Sequence, residues 1–430
     1  MAIVVPTITG KMGSIEYYES NMKARELVAA VRPARETDDW SSGGIEERMQ
    51  RELQMKRVLE EIVPYLAKSP DHFTGAVIVL VRDPKIYTFE PVEKVGGRIP
   101  AAYSGVASRL GFLTLEGGEL IYLDGQHRGA AFRNVIQDPK DGEKNTGGDV
   151  ANDDVCVIFV KFESTEKTRR IFNKVNRYAR STSRADNIIT SEDDGYAIVA
   201  RRLLRDNEPL GVRDPEAPNE LIVDWKSNTI TGRSTKLTTL SAIYETVKVI
   251  LKHEGIKDFD EKSRVIRPPE SELHHAYGLV KEWWVELLEG ITAYQDALAD
   301  NSTIPSLRVD ASPVSLLFKP AGQIAMVQGL TSAVHRGGKR AEMISRLNRI
   351  NWSTIDSVWR GTIVRDGGKM SARTEDVELA GEIIAYLIGA KHMNGQARKA
   401  LQEKYTAARN AKYIPGGGKN LEPLPEFIRK

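Results

Sequence analysis

Asp124–Gly125–Gln126–His127–Arg128 gathers a carboxylate, an amide, an imidazole and a guanidinium around one glycine. Each side chain type has a chemistry that suits the cluster. A carboxylate caps a turn or holds a metal. An imidazole titrates near neutrality, so His127 can give or take a proton. A guanidinium grips a phosphate through two parallel hydrogen bonds. Asp124 lies three residues before His127, and the two could face one pocket if the chain turns sharply between them. Gly125 allows such a turn. Two readings follow. In one, Asp124, Gly125, Gln126, His127 and Arg128 bind a phosphate or nucleotide, with Asp124, Gln126 and His127 as candidate catalytic groups. In the other, the segment is a capped turn with a solvated His–Arg pair. Local physics leaves both open.

The flanking elements decide what such a cluster can do. Leu120–Leu123, entered from Glu119, is a short apolar strand, and Gly129–Val135 reads as the first turns of a helix. A strand-to-helix junction points backbone N–H groups and the positive end of a helix dipole at one spot, which suits a phosphate. Around it the sequence predicts a helix over Ile45–Lys68, bent near Pro64, and a buried strand over Thr74–Val81. A loop follows over Asp138–Asp154, and a strand over 155–162. The order helix–strand–strand–turn–helix–strand argues for a mixed α/β domain over residues 1–190. From Glu192 onward helical spacing dominates, over 195–205, 237–252, 272–298, 321–335, 339–350 and 374–391. The fold class is therefore α+β, with a mostly helical domain over 191–430. Trp283 and Trp284 read as core or interface rather than as a base-stacking platform.

A second constellation follows the 155–162 strand. Between Lys161 and Arg184 lie eight Lys/Arg and two Glu, a local excess of six positive charges. A helix over Thr165–Ala179 that buries Ile171, Phe172 and Val175 leaves Asn173, Asn176, Arg177 and Arg180 facing outward. Asn and Arg side chains read base edges and grip phosphates. Arg169, Arg170, Asn173, Lys174, Asn176, Arg177, Arg180 and Arg184 are therefore the candidate nucleic-acid contacts. The competing reading is a charged, solvated helix face. The net charge of +2 argues against an indiscriminate nucleic-acid binder, but the distribution of charge matters more than its total.

Other classes are excluded. No apolar run reaches the ~18 residues of a membrane span, and the first residues lack the basic flank of a signal peptide. A single cysteine, Cys156, excludes an intramolecular disulfide, and its apolar strand predicts a buried, unreactive thiol. A reducing cytoplasm fits these features. No Cys/His cluster has metal-ligand spacing, and no phosphate-binding P-loop is present. His72, His253, His335 and His392 read as isolated surface residues, and His274–His275 as part of a helix start.

Asp124–Arg128 is similar to the signature of the DGQHR proteins, and the wider chain resembles their DndB branch, the regulatory component of DNA phosphorothioate (sulfur) modification systems. Further segments carry the resemblance: Glu16–Tyr18, Ile171–Arg180, Trp225–Asn228, Lys236–Leu240 and, more weakly, Leu316–Gln323. The resemblance implies a ParB/sulfiredoxin-like fold for the first domain, in which a comparable turn meets phosphate or nucleotide. It implies duplex DNA as partner, and a DNA-binding regulator of the modification genes in bacterial defence. Two alternatives stay open. One is a ParB-like nucleotide-binding protein or weak NTPase, with a magnesium nucleotide as cofactor. The other is a non-catalytic scaffold for other modification proteins, or for further copies of itself. The His127–Arg128 pair departs from the double-arginine turn of ParB. No nucleophile has an evident base partner, so the balance leans away from an enzyme.

Overall fold

A computed structural model of the chain describes residues 2–33, 54–96, 99–137, 149–164, 166–168, 171, 184–214, 217–256, 259, 266–308, 314–365, 368–410 and 421–428. The chain divides into two compact units, Met1–Ser181 and Thr182–Lys430.

The first unit is built on one eight-stranded mixed sheet with the order β3–β7–β4–β8–β2–β1–β6–β5. Its strands are β1 (Ala2–Met12), β2 (Ile15–Lys23), β3 (Val31–Arg32), β4 (Val77–Arg82), β5 (Ile86–Pro91), β6 (Leu110–Glu116), β7 (Glu119–Asp124) and β8 (Asp154–Lys161). β4 runs parallel to β8 and antiparallel to β7. Apolar neighbours on both faces explain why Val77–Val81 is an uninterrupted apolar run. The helices α1 (Ala24–Ala30) and α2 (Gln126–Gln137) pack on one face, around Leu27, Val79, Leu113, Phe132 and Phe159.

Several sequence expectations shift here. The 45–68 helix begins at Met55 among the described residues, and Val58–Ile62 forms a wide π turn ahead of Val63–Lys68. Helical dihedrals continue through Arg57, Val58, Ile62 and Val63, so 55–68 is one helical stretch, and its irregularity is the π turn directly before Pro64. The long hairpin of β1 and β2 has no counterpart among the predicted strands. Pro6 hid it, since proline argues against an inner strand. The β1–β2 ladder begins only at Thr7, and the Pro6 carbonyl, on the β2 side, accepts instead from Ser20 Oγ at 2.6 Å.

The second unit is helical. Its main elements are α3 (Gly195–Arg202), α4 (Leu240–His253), α5 (Glu270–Gly290), α6 (Thr292–Ala299), α7 (Pro320–His335), α8 (Arg340–Leu347), α9 (Thr374–Gly389) and α10 (Gly395–Arg409). The single helix predicted over 272–298 is two helices. Asn348 explains the break: its Nδ2 donates to Gly290 O at 2.7 Å, and its Oδ1 accepts from Thr292 N–H at 3.0 Å. One side chain thereby satisfies a carbonyl at the end of α5 and an amide at the start of α6. Trp283 and Trp284 are each 1% exposed, so both are core residues.

α4, α7 and α9 run in the same direction. Thr238 meets Gln323 near the starts of α4 and α7, and the His253 and His335 rings meet at their ends, 6.0 Å apart. Gly381 lies by Ala325, and Gly389 by Ala333. α7 and α9 approach so closely that a Cβ on Gly329 would fall 2.6 Å from Ile384 and 2.8 Å from Gly381 O. Gly329→Ala is therefore expected to destabilise the protein by about 1–3 kcal/mol through overpacking. Urea denaturation checks this, and an unchanged midpoint would mean that the helices part easily.

Candidate functional site

The turn at 124–128 forms because β7 ends at Asp124 and a twelve-residue helix, Gln126–Gln137, begins two residues later. Gly125 carries the reversal with φ +89°, and its Cα lies against β4, where a Cβ would sit 2.7 Å from Val77 Cγ1. Both the dihedral and the space call for glycine. Gly129 N–H donates to Gly125 O at 2.9 Å and closes the first helical turn.

Arg128 faces inward. Its Nη1 donates to Gly75 O at 2.7 Å and Ala76 O at 2.9 Å, and its Nη2 donates to Asp124 Oδ2 at 2.8 Å. The guanidinium that the sequence marks as a phosphate grip thus ties the turn to the segment entering β4. Asp124 is its ion-pair partner. His127 projects elsewhere: Gln54 N–H donates to its Nε2 at 3.1 Å. An accepting Nε2 means a neutral ring with its proton on Nδ1. Burial pushes the His127 pKa down, the Arg57 and Arg128 guanidinium charges push the same way, and Asp124 opposes them. All five residues are brought to one turn. What remains to meet a ligand is the backbone at the helix start together with Gln126 and His127.

Of the eight candidate nucleic-acid contacts, Arg169, Arg170, Asn173, Lys174, Asn176, Arg177 and Arg180 lie outside the described residues. Arg184 begins a short helix, Arg184–Thr190. It donates to Glu245 and stacks over Tyr244 at 5.4 Å. Ile171 packs inward against the patch of Leu80, Ile121 and Leu123.

In the second unit, a buried polar cluster joins segments that the sequence keeps far apart. Asp214 accepts from Thr235 Oγ1 at 3.0 Å, Lys236 Nζ at 2.9 Å and Asn301 Nδ2 at 2.7 Å. Arg308, 3% exposed, donates to the carbonyls of Ser234, Lys236, Leu237 and Phe318. Gln323 accepts from Thr238 and donates to the carbonyls of Leu237 and Leu317. Burial lowers the Arg308 pKa to about 10, so it stays charged at neutral pH, balanced by peptide dipoles. The segments 236–240 and 316–323, noted in the sequence, meet here. Asp214, Asn301 and Arg308 gave no local signal, because their partners lie many residues away.

A family model described as DndB, DNA-sulfur modification-associated, matches residues 5–391, most of the chain. The chain belongs to the DndB family. Membership associates it with DNA sulfur modification. No curated protein and no solved structure matches it. The DndB match spans the 124–128 turn, the charged 161–184 stretch and the polar cluster, and ends before α10. Among the described residues no helix is long and apolar enough to cross a membrane, and no group of three His, Cys, Asp or Glu has metal-site geometry.

Three of the four histidines read as isolated surface groups have partners: His72, His253 and His335. His72 Nε2 lies 2.7 Å from Asp153 Oδ2 and its Nδ1 2.7 Å from Ser69 O, while His253 stacks edge-on with Trp283. Burial lowers the His72 pKa, but the hydrogen bonds to Asp153 and Ser69 outweigh it and raise the value overall. Cys156 is half-buried rather than buried, and desolvation and Glu19 push its thiol pKa up, which fits an unreactive group.

Two outcomes are expected. In an NMR pH titration His127 should titrate below the ordinary histidine value and His72 above it. His72 then contributes stability that is present in acid and lost as pH rises through its folded pKa. His127 contributes stability that is present above about pH 6.5 and lost in acid. Both rings titrating at the ordinary value would refute these contacts. Separately, Arg128→Ala should destabilise the protein by about 1.5–3 kcal/mol, because two carbonyls and Asp124 lose a charged donor. Arg128→Lys, lacking the planar fork, should recover little of this. Equal thermal stability of all three proteins would rule out the tie.

Proposed function

We propose that this protein is the DNA-binding regulatory component of a DNA sulfur-modification system, acting on transcription of the modification genes. The observation that carries the reading is the DndB family match over residues 5–391. The excess of six positive charges over Lys161–Arg184 supports it. Basic residues of that density neutralise phosphates and release condensed counterions, so affinity should fall steeply with salt. The inward role of Arg128 agrees with a turn that organises the sheet while other residues meet DNA.

A second reading places a nucleotide at the 124–128 turn. It is favoured by the backbone amides at the start of a twelve-residue helix after a left-handed glycine. Because Arg128 already holds Gly75, Ala76 and Asp124, such a site would rest on the amides, Gln126 and His127. Calorimetric titration with ATP and CTP in magnesium tests it, and no heat of binding for either would set it aside.

The DNA reading is tested by fluorescence anisotropy with duplex DNA across a salt series. Wild type should bind, and Arg177→Ala with Arg180→Ala should weaken binding and lower the salt slope by about 2. Unchanged affinity in the double variant would remove the 161–184 stretch as a contact.

A further inference from the structure

The parallel course of α4, α7 and α9 brings three helix C-termini together at one end of the second unit. Each end carries a basic pair: Lys252–His253, His335–Arg336 and Lys391–His392. The pairs are close in space. The His253 and His335 rings are 6.0 Å apart, and the Gly337 Cα lies beside His392. Lys339 joins them from the glycine turn that follows α7.

Some positive charge is needed here for stability alone. Each helix end contributes about −0.5 of an elementary charge, so three parallel ends sum to about −1.5. Lys252, Arg336, Lys339 and Lys391 exceed that, and none of the four makes an ion pair among the described residues. Among the described residues, two carboxylates near this end are engaged: Glu286 by Arg340, and Glu254, which accepts from the Trp283 indole N–H at 2.7 Å. Glu282 lies 4.0 Å from Arg340. One donor nitrogen of Arg336, Nη1, is buried with no hydrogen-bond partner.

We infer that this shared helix end is a second DNA-contacting face, on which Lys252, Arg336, Lys339 and Lys391 hold the phosphate backbone of a duplex. The cations come from three separate turns, so they span a surface rather than a point. That suits a run of phosphates better than a single bound anion. Contact through phosphates carries no sequence information, so this face adds affinity and orientation rather than specificity. The inference rests on the DNA-binding reading above.

The test uses the full chain and a Lys252→Ala/Lys339→Ala/Lys391→Ala variant. These exposed lysines make no ion pair, so folding should be unaffected. A matching triple Lys→Arg variant serves as a control. Anisotropy with a duplex of arbitrary sequence should show affinity weakened on the order of tenfold and a salt slope reduced by about 3 in the alanine variant. The arginine variant should bind like wild type. Wild-type affinity and slope in the alanine variant would overturn the second face while leaving the DNA reading intact. A wild-type chain that binds no duplex even at low salt would overturn both.

Discussion

The Arg128 guanidinium is the constraint on which the first unit turns. It bonds Gly75 and Ala76, some fifty residues earlier in the chain, and Asp124 at the end of the adjacent strand. These bonds fix where β4 enters the sheet beside β7. They also fix the helix at 126–137 over the sheet face that buries Val79, Phe132 and Phe159. Gly125 is the other half of the same device, since only a residue without a Cβ passes Val77 at that angle. A motif that invites a ligand-binding reading is thus first a structural joint, and any ligand chemistry is left to its outward-facing members.

The second unit meets a comparable problem differently. Parallel packing of α4, α7 and α9 puts like dipole ends together, which short loops and antiparallel neighbours would avoid. At the starting end, buried side chains absorb the unsatisfied groups: Thr239 caps α4, Gln323 bridges to Thr238, and Arg308 gathers four carbonyls. At the finishing end the balance comes from exposed Lys, Arg and His. Stability is concentrated at one end, and chargeable surface at the other.

Much of this was legible in the sequence. The apolar run Val77–Val81 marked a strand buried on both faces, and the strand–turn–helix around Asp124 followed from its periodicity and its glycine. The helices of the second unit were visible because their apolar residues recur at helical spacing, with Trp283 and Trp284 on the buried side. Features set by distant partners were not legible. Nothing near Arg128 announces Gly75, nothing near Gly290 announces Asn348, and Pro6 argues locally against the strand it occupies. The histidines went the same way: His253 and His335 are isolated in sequence and adjacent only once three helices are aligned.

In the proposed function, DNA meets this chain through its basic stretches and not through the 124–128 turn. The most direct measurement is photo-crosslinking of the full chain to duplex DNA, with the attached peptides identified by mass spectrometry. Crosslinks on peptides from 161–184 are expected, with further ones from 335–340 and 390–399. Crosslinks concentrated on the peptide holding Asp124–Arg128, or none on any basic segment, would contradict the claim.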